Sequence, residues 1–211
     1  MARRTQGTAA GLDRPRIAAA AVALVDRDGL ERFGVRRLAV ELGVDPMSIY
    51  HHIKGKAALL DAMSEAVLAE VAPATDDGAA QSWEAIARRT AHGYRDMAYR
   101  HPRVFPLLVT RAQTSPVAVA ALEELVAAMR GAGLPDRVVA DAPMVLFSFL
   151  NGHLLARTGD EPGAVPAFDA AAYPAMAALA PLMEDFGSLA EFDRMLDAVL
   201  AGMAGVERSR M

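Results

Sequence analysis

In the stretch "LGVDPMSIYHHIKGKAALLDAM", residues 42–63, a tyrosine, two histidines and two lysines follow closely on Gly-Val-Asp-Pro. These side chains suit contacts with base edges and phosphates. Ser48 donates or accepts a hydrogen bond, Met47 can touch a thymine methyl, and His51 can bond a base or a phosphate. Tyr50, His52, Lys54 and Lys56 suit phosphate contacts, and Lys56 sits near a helix start whose free N–H groups also favour an anion. Arg36 and Arg37 open the preceding helix, where they can clamp a backbone at its flank. The two histidines have different tasks, and neither is read as a metal ligand.

Such chemistry requires two short helices at a fixed angle. "VRRLAVELGVDPMSIYHHI" fits helices at about 35–42 and 46–52 joined by a tight turn. Ala39 allows the close crossing, Gly43 can take the positive φ of the turn, and Val44 and Ile49 fill the space between the helices. Asp45 caps the second helix, and Pro46 takes its first position, where a missing N–H costs nothing. Ile49 and Ile53 face inward, four residues apart, which leaves Pro46, Met47, Ser48, Tyr50, His51 and His52 for other surfaces. Residues at the start of such a helix reach base edges in a major groove.

The charge is divided to match. Residues 1–56 hold ten Lys and Arg against six Asp and Glu, whereas residues 57–211 hold twelve against twenty, within a net charge of −4. A small basic part is attached to a larger acidic one, which suits one end meeting a polyanion. With 53% hydrophobic residues the chain can fill a real core, and with no cysteine it has no disulfide, thiolate nucleophile or cysteine-ligated metal. The most apolar stretch, "APMVLFSFL" at 142–150, is far shorter than a membrane span. The expectation is a cytoplasmic chain with no membrane partner.

Nearly every segment reads as helix, so the fold class is all-α: a three-helix N-terminal helix-turn-helix domain and a larger helical C-terminal domain. The first helix starts at Asp13 as N-cap and stops at Gly29. After 35–42 and 46–52, helices are expected at 56–71, 83–100, 102–110, 116–132, 136–157, 171–185 and 188–204. "VAPATDDGAAQS" at 71–82 is the boundary signal, and "GDEPGAVPAF" at 159–168 reads as a loop. The domain reading is an arm and helix-turn-helix over 1–57, a connecting helix over 58–74, and an effector-binding and dimerisation domain over 75–211. The tail "MARRTQGTAAG" carries Arg3 and Arg4, which read as solvated or as added phosphate contacts.

Two late helices bear on assembly. "DAPMVLFSFLNGHLLA" is apolar around much of its cylinder, so it lies at a domain centre or meets a second subunit, and the homodimer is preferred. For an effector pocket, Thr90, Tyr94, Met97 and His101 fall on one helix face, and Phe147, Asn151 and His153 lie on another helix able to face them. Eleven methionines suit an adaptable apolar ligand, although they fill core gaps equally well. His101, His153 and Glu161 are the residues an all-α enzyme would use. No ligand pair stands at i, i+3 or i+4, and no nucleophile elbow or phosphate-cradling glycine loop is present, so no catalysis, cofactor or metal is expected. An effector-independent helix-turn-helix protein is the other alternative; the bulky acidic domain speaks for a sensor.

Residues 13–63 also resemble the N-terminal domain of TetR-type (tetracycline repressor) transcriptional regulators, through the tail Tyr50, His52, Ile53, Lys56, Leu59 and Leu60. Gly34 departs from the pattern, since the family usually caps its second helix with Ser or Thr. "SWEAIARRTAHGYRDMAYRHP" and "NGHLLARTGDE" resemble the C-terminal domain of the tetracycline-repressor subgroup, with Trp83, Arg95, His101, Gly152, His153 and Glu161 in similar places. The resemblance implies a repressor that binds a palindromic double-stranded DNA operator as a dimer and is released by a small-molecule effector. It also implies that Leu108 and Ala72 replace two drug-contacting histidines, leaving only Glu161 of the metal site, so a tetracycline–magnesium complex is not expected to bind.

Overall fold

The computed structural model describes residues 11–71, 81–159 and 168–205. Among them the regular structure is helical: α1 (Arg14–Asp28), α2 (Val35–Leu42), α3 (Pro46–His52), α4 (Gly55–Leu68), α5 (Trp83–Arg100), α6 (Phe105–Thr110), α7 (Pro116–Gly131), α8 (Asp136–Thr158), α9 (Pro174–Leu179) and α10 (Leu189–Gly205), with a 3-10 turn at Ala180–Met183. The chain divides into two compact units, Met1–Val71 with Asp96–Val119, and Ala72–Arg95 with Ala120–Met211.

In the first unit α1 packs on α4 and α2, and α2 on α3. Helix α1 begins where Asp13 accepts from the Arg16 N–H at 2.8 Å and ends at Gly29, whose φ of 84° suits glycine. Ile17, Ala21, Leu24 and Val25 are buried, as the stripe of α1 requires, and meet Leu38, Ile49, Ile53, Leu59 and Met63 in one core. Each such aliphatic side chain contributes about 1.5–3 kcal/mol by leaving water, which is how helices of seven and eight residues persist. At α2 the expected weak cap is present: Gly34 has no side chain to bond the first turn.

In the second unit α8 packs on α10. Val139, Ala142, Leu146, Leu150, His153 and Leu154 form the buried side of α8, and Phe192, Leu196, Leu200 and Met203 that of α10. The opposite side of α8 is uncovered, with Met144 73% exposed. The helix therefore does not run through a domain centre. Taken whole, its 23 residues are long and apolar enough to cross a membrane by length and composition alone, although the stretch at 142–150 is not. A large share of its apolar surface faces protein instead.

The expected helix at 171–185 is broken into α9 and the 3-10 turn. Pro181 lacks an N–H for the Ala177 carbonyl, which takes the Ala180 N–H instead, so the chain tightens into a 3-10 turn there while Ala180 itself stays right-handed helical at φ −52°, ψ −41°. Pro102 lacks an N–H for the Ala98 carbonyl and so cannot extend α5, and after a turn the expected 102–110 helix begins at Phe105. The loop expected at 159–168 and most of the boundary at 71–82 lie outside the described residues, as do Arg3 and Arg4.

Candidate nucleic-acid interface and effector site

The turn before α3 is built by local chemistry. Gly43 stands at φ 66°, ψ 31° in the left-handed region, and its N–H reaches the Ala39 and Val40 carbonyls. This bends the chain within one residue, and Ala39, 1% exposed, gives the close helix crossing. Asp45 accepts from the Met47 N–H at 2.8 Å, and Pro46 occupies the first helical position. With Ile49 and Ile53 each 1% exposed, the register of α3 is fixed.

That register turns the candidate readers outward. Met47, His51 and His52 are exposed, and Pro46, Ser48 and Tyr50 are half-buried. Lys54 and Lys56 are exposed on either side of Gly55, whose φ of 88° turns the chain from α3 into α4. Two features beside this face escaped the sequence reading. Gly55 needed a backbone angle to be recognised. Val40, 82% exposed on α2, falls off the Leu38–Leu42 stripe, and that displacement was the available signal.

The two arginines of α2 differ. Arg37 donates to the Asp28 carboxylate at 2.7 Å and to the Arg32 carbonyl at 2.9 Å. Arg27 grips Glu41 through two contacts of 3.1 Å and also meets Asp28, so the end of α1 and helix α2 share one ion-pair network. Hydrogen bonds from Arg27 hold the Glu41 and Asp28 carboxyls below their usual range. Arg36 is exposed and has no such pairing among the described residues.

The candidate effector residues separate into three groups. Tyr94 donates its hydroxyl to Asn151 at 2.8 Å and meets the Phe147 ring edge-on at 5.2 Å, so α5 and α8 bring these three together. Burial pushes the Tyr94 phenol well above its usual range, keeping it a neutral donor. Thr90 is half-buried and Met97 fully buried on the same helix. His153 belongs to an aromatic cluster with Phe149 and Phe192 at centroid distances of 5.4 Å. Burial first, then Arg157 and Arg95 against an opposing Glu191, hold its imidazole below the usual value. His101 bonds Asp26 at 2.6 Å and Glu70 at 3.1 Å, and Arg100 also pairs with Glu70. Its ring thus joins a polar knot in the first unit rather than the Tyr94 group.

The sequence reading also missed Arg157 and Glu191, 34 residues apart and paired at 2.8 Å with side chains 10% and 7% exposed. Glu191 further accepts from the Gly187 N–H at 2.7 Å, and the Arg157 guanidinium lies 4.2 Å from the Phe186 ring centre. Among the described residues no group of three His, Asp or Glu side chains is arranged to hold a metal. Leu108 is buried; Ala72 and Glu161 lie outside the described residues.

A glycine-turned helix pair with an exposed second helix, joined to a helical domain that pairs a tyrosine with an asparagine on its longest helix, is the architecture of a helix-turn-helix transcriptional regulator. The chain belongs to the TetR family: residues 17–63 match the bacterial regulatory proteins of the tetR family, and residues 72–206 match the tetracyclin repressor-like C-terminal domain. That family is non-enzymatic. The chain is 32% identical over 204 residues to a helix-turn-helix-type transcriptional regulator of Saccharopolyspora erythraea, covering 92% of this chain and 85% of that protein. It is 33% identical over 153 residues to the transcriptional repressor DrrR1 of Streptomyces coeruleorubidus, covering 71% of this chain and 55% of that protein. Among solved structures, the Streptomyces coelicolor TetR family protein ActR in complex with actinorhodin superposes with a TM-score of 0.77 at 26% identity, over 93% of this chain and 97% of that one.

Proposed function

We propose that the chain is a cytoplasmic repressor that binds a palindromic operator as a homodimer and is released by an apolar small molecule in its C-terminal domain. The observation that carries this is α3, whose outward face holds Met47, Ser48 and His51 while its core face is locked by Ile49. In this reading residues 1–57 read DNA, 58–74 connect, and 75–211 bind effector and partner. Ser48, Met47 and His51 contact bases. Arg36, Tyr50, His52, Lys54 and Lys56 hold phosphates, with Pro46 packed at the groove edge and Arg37 supporting Arg36 from within the ion-pair network.

The uncovered face of α8 supports the dimer. Met144, Ser148, Gly152 and Leu155 recur at i, i+4, i+8 and i+11, all exposed, and Leu189 and Met195 are exposed on α10. Small residues amid apolar ones allow close helix approach, and a two-fold contact buries both copies of the stripe. For the effector, Tyr94, Phe147 and Asn151 offer an aromatic wall with one polar handle, with Thr90 and Met97 beside them. ActR, with its bound actinorhodin, and DrrR1, a named repressor, support an effector-responsive repressor.

Release follows from geometry. The two α3 copies must stand about 34–36 Å apart to meet successive major grooves. An effector that prefers a dimer of another spacing lowers operator affinity by its differential affinity for the two states. Footprinting the purified protein on DNA around its own gene, followed by a screen of apolar compounds for release, tests the reading. A specific footprint that no compound relieves would favour the effector-independent alternative; no specific footprint would end the proposal.

A further inference from the structure

The buried ring of His101 is held between two carboxylates of the first unit, with Nδ1 2.6 Å from Asp26 Oδ2 and Nε2 3.1 Å from Glu70 Oε2. A neutral imidazole carries one N–H and an ionised carboxylate offers none, so the two contacts together require the imidazolium. Burial alone would raise the Glu70 carboxyl, yet hydrogen bonds from His101 and Arg100 hold it below its usual range, which keeps it an acceptor at neutral pH. The two-contact arrangement therefore exists only while the knot holds that proton.

The two contacts are not equivalent. Asp26 Oδ1 is enclosed without a hydrogen-bond partner, and among the described residues the other oxygen of Asp26 bonds His101 alone. Glu70, whose side chain is 37% exposed, also receives Arg100. A buried carboxylate stripped of its one partner costs more than a part-exposed carboxylate that keeps an arginine. When the ring loses a proton, the remaining N–H therefore stays on Nδ1, and the Glu70 contact opens. The other charged group nearby, Arg103, donates to the Asp26 and Arg27 carbonyls at 3.3 and 2.7 Å, and α6 brings no titratable side chain.

We infer that His101 is a proton-operated latch that pins the end of α4 to α1 while its ring is charged and opens at Glu70 as pH rises. Glu70 lies in the turn that closes α4, where the Ala69, Glu70 and Val71 N–H groups donate to the Glu65, Val67 and Leu68 carbonyls at 3.0, 3.2 and 3.1 Å. Two further ties hold α4, from Arg14 to Glu65 at 3.1 Å and from Arg111 to Asp61 at 3.0 Å. Both are arginine–carboxylate pairs, whose charges persist through the neutral range. Histidine is the side chain suited to change charge there, so the tie at the end of α4 differs in kind from the other two. The latch stands on contacts within the first unit and needs no DNA. Its consequence for the operator rests on the repressor reading, in which α4 connects the reading helix to the effector domain, so that opening lowers operator affinity.

The test is a pH series on the full-length free protein, carried upward from about pH 5 until the ring signals show His101 neutral. Ring nitrogen and carbon NMR signals follow the His101 titration, and hydrogen exchange gives protection factors for the Ala69, Glu70 and Val71 amides. As the ring loses its proton, Nδ1 should keep the remaining hydrogen. Those protection factors should then fall about threefold, as for one partly exposed charged contact, while the α1 amides near Asp26 hold steady. Glu70→Ala should remove this step and leave the ring titrating, and His101→Gln, uncharged at every pH, should also lack it. Where His101→Gln does not fold, the parent protein and Glu70→Ala decide the matter. Level protection across the His101 titration, a step of equal size in Glu70→Ala, a remaining hydrogen on Nε2, or a ring that stays charged until the protein unfolds overturns the inference. On the footprinted operator, affinity should fall about threefold more in the parent than in His101→Gln over the same range, because His51 and His52 are present in both. A latch that opens in the free protein without that difference upholds the inference and counts against α4 as the route to the operator.

Discussion

Asp45 does two things that a pair of substitutions separates. Its carboxylate accepts the Met47 N–H at 2.8 Å and so closes the first turn of α3, and it also brings a negative charge to the surface that faces DNA in the proposed complex. Helix α3 has seven residues, too few to hold a helix in isolation, and only Ile49 within it is buried. Losing the cap should therefore cost about 1 kcal/mol, a factor of about five in the local folding equilibrium. A unit charge about 8 Å from a phosphate costs about 0.5 kcal/mol in water, roughly a twofold effect on affinity before screening. Asp45→Asn keeps the cap and removes the charge, so amide exchange in α3 should stay near the parent rate and operator affinity should rise about twofold. Asp45→Ala removes both, so α3 amides should exchange about fivefold faster, while operator affinity should rise about as in Asp45→Asn, because α3 stays mostly folded in the free protein. Hydrogen exchange of the free protein and fluorescence anisotropy on the footprinted operator read the two effects. Equal exchange for the two variants would refute the assignment of the cap to this carboxylate, and unchanged affinity in both would refute the charge effect.

Lys56→Ala should weaken binding to operator and random DNA alike and lower the salt slope by about 0.9 per phosphate contact removed, whereas Ser48→Ala or His51→Ala should change which operator is preferred. Equal losses on both DNAs for Ser48 and His51 would contradict their role as readers. Tyr94→Phe leaves the Asn151 oxygen without its donor and should cost about 1–2 kcal/mol in urea unfolding; a variant as stable as the parent would show that the contact contributes nothing. Burial alone would raise the Glu191 carboxyl, but the Gly187 N–H and Arg157 hold it below the usual range. Its contribution is thus fully present above the ordinary glutamate value of about 4.3 and is lost as pH falls through the lower folded value. Thermal scans should show the parent losing more stability than Glu191→Gln on acidification in that window, and parallel curves would rule the pair out. A tetracycline–magnesium complex should not release the protein from its operator in an anisotropy titration, and measurable release would overturn the inference drawn from Leu108.

The features legible in the sequence are those whose energetics close within a few residues. Asp13 and Asp45 reach an N–H two or three residues away, Gly43 satisfies its own turn, and the Ile49–Ile53 spacing sets which side of α3 faces inward. The outward face of α3 could be named residue by residue for that reason, whereas the turn at Gly55 and the exposure of Val40 could not. Longer-range pairings were decided only by the packing of whole helices. The partners Tyr94 and Asn151 are 57 residues apart and His101 and Asp26 are 75 apart, so no spacing rule assigns His101 to one group and Tyr94 to another. Periodicity places a side chain on a helix face, but the rotation and offset of that helix against its neighbour decide what it meets. Hence α8 read as apolar on nearly every side, and only the tertiary structure showed one face uncovered. Arg36 and Arg37 likewise read as a matched pair until Asp28 claimed one of them.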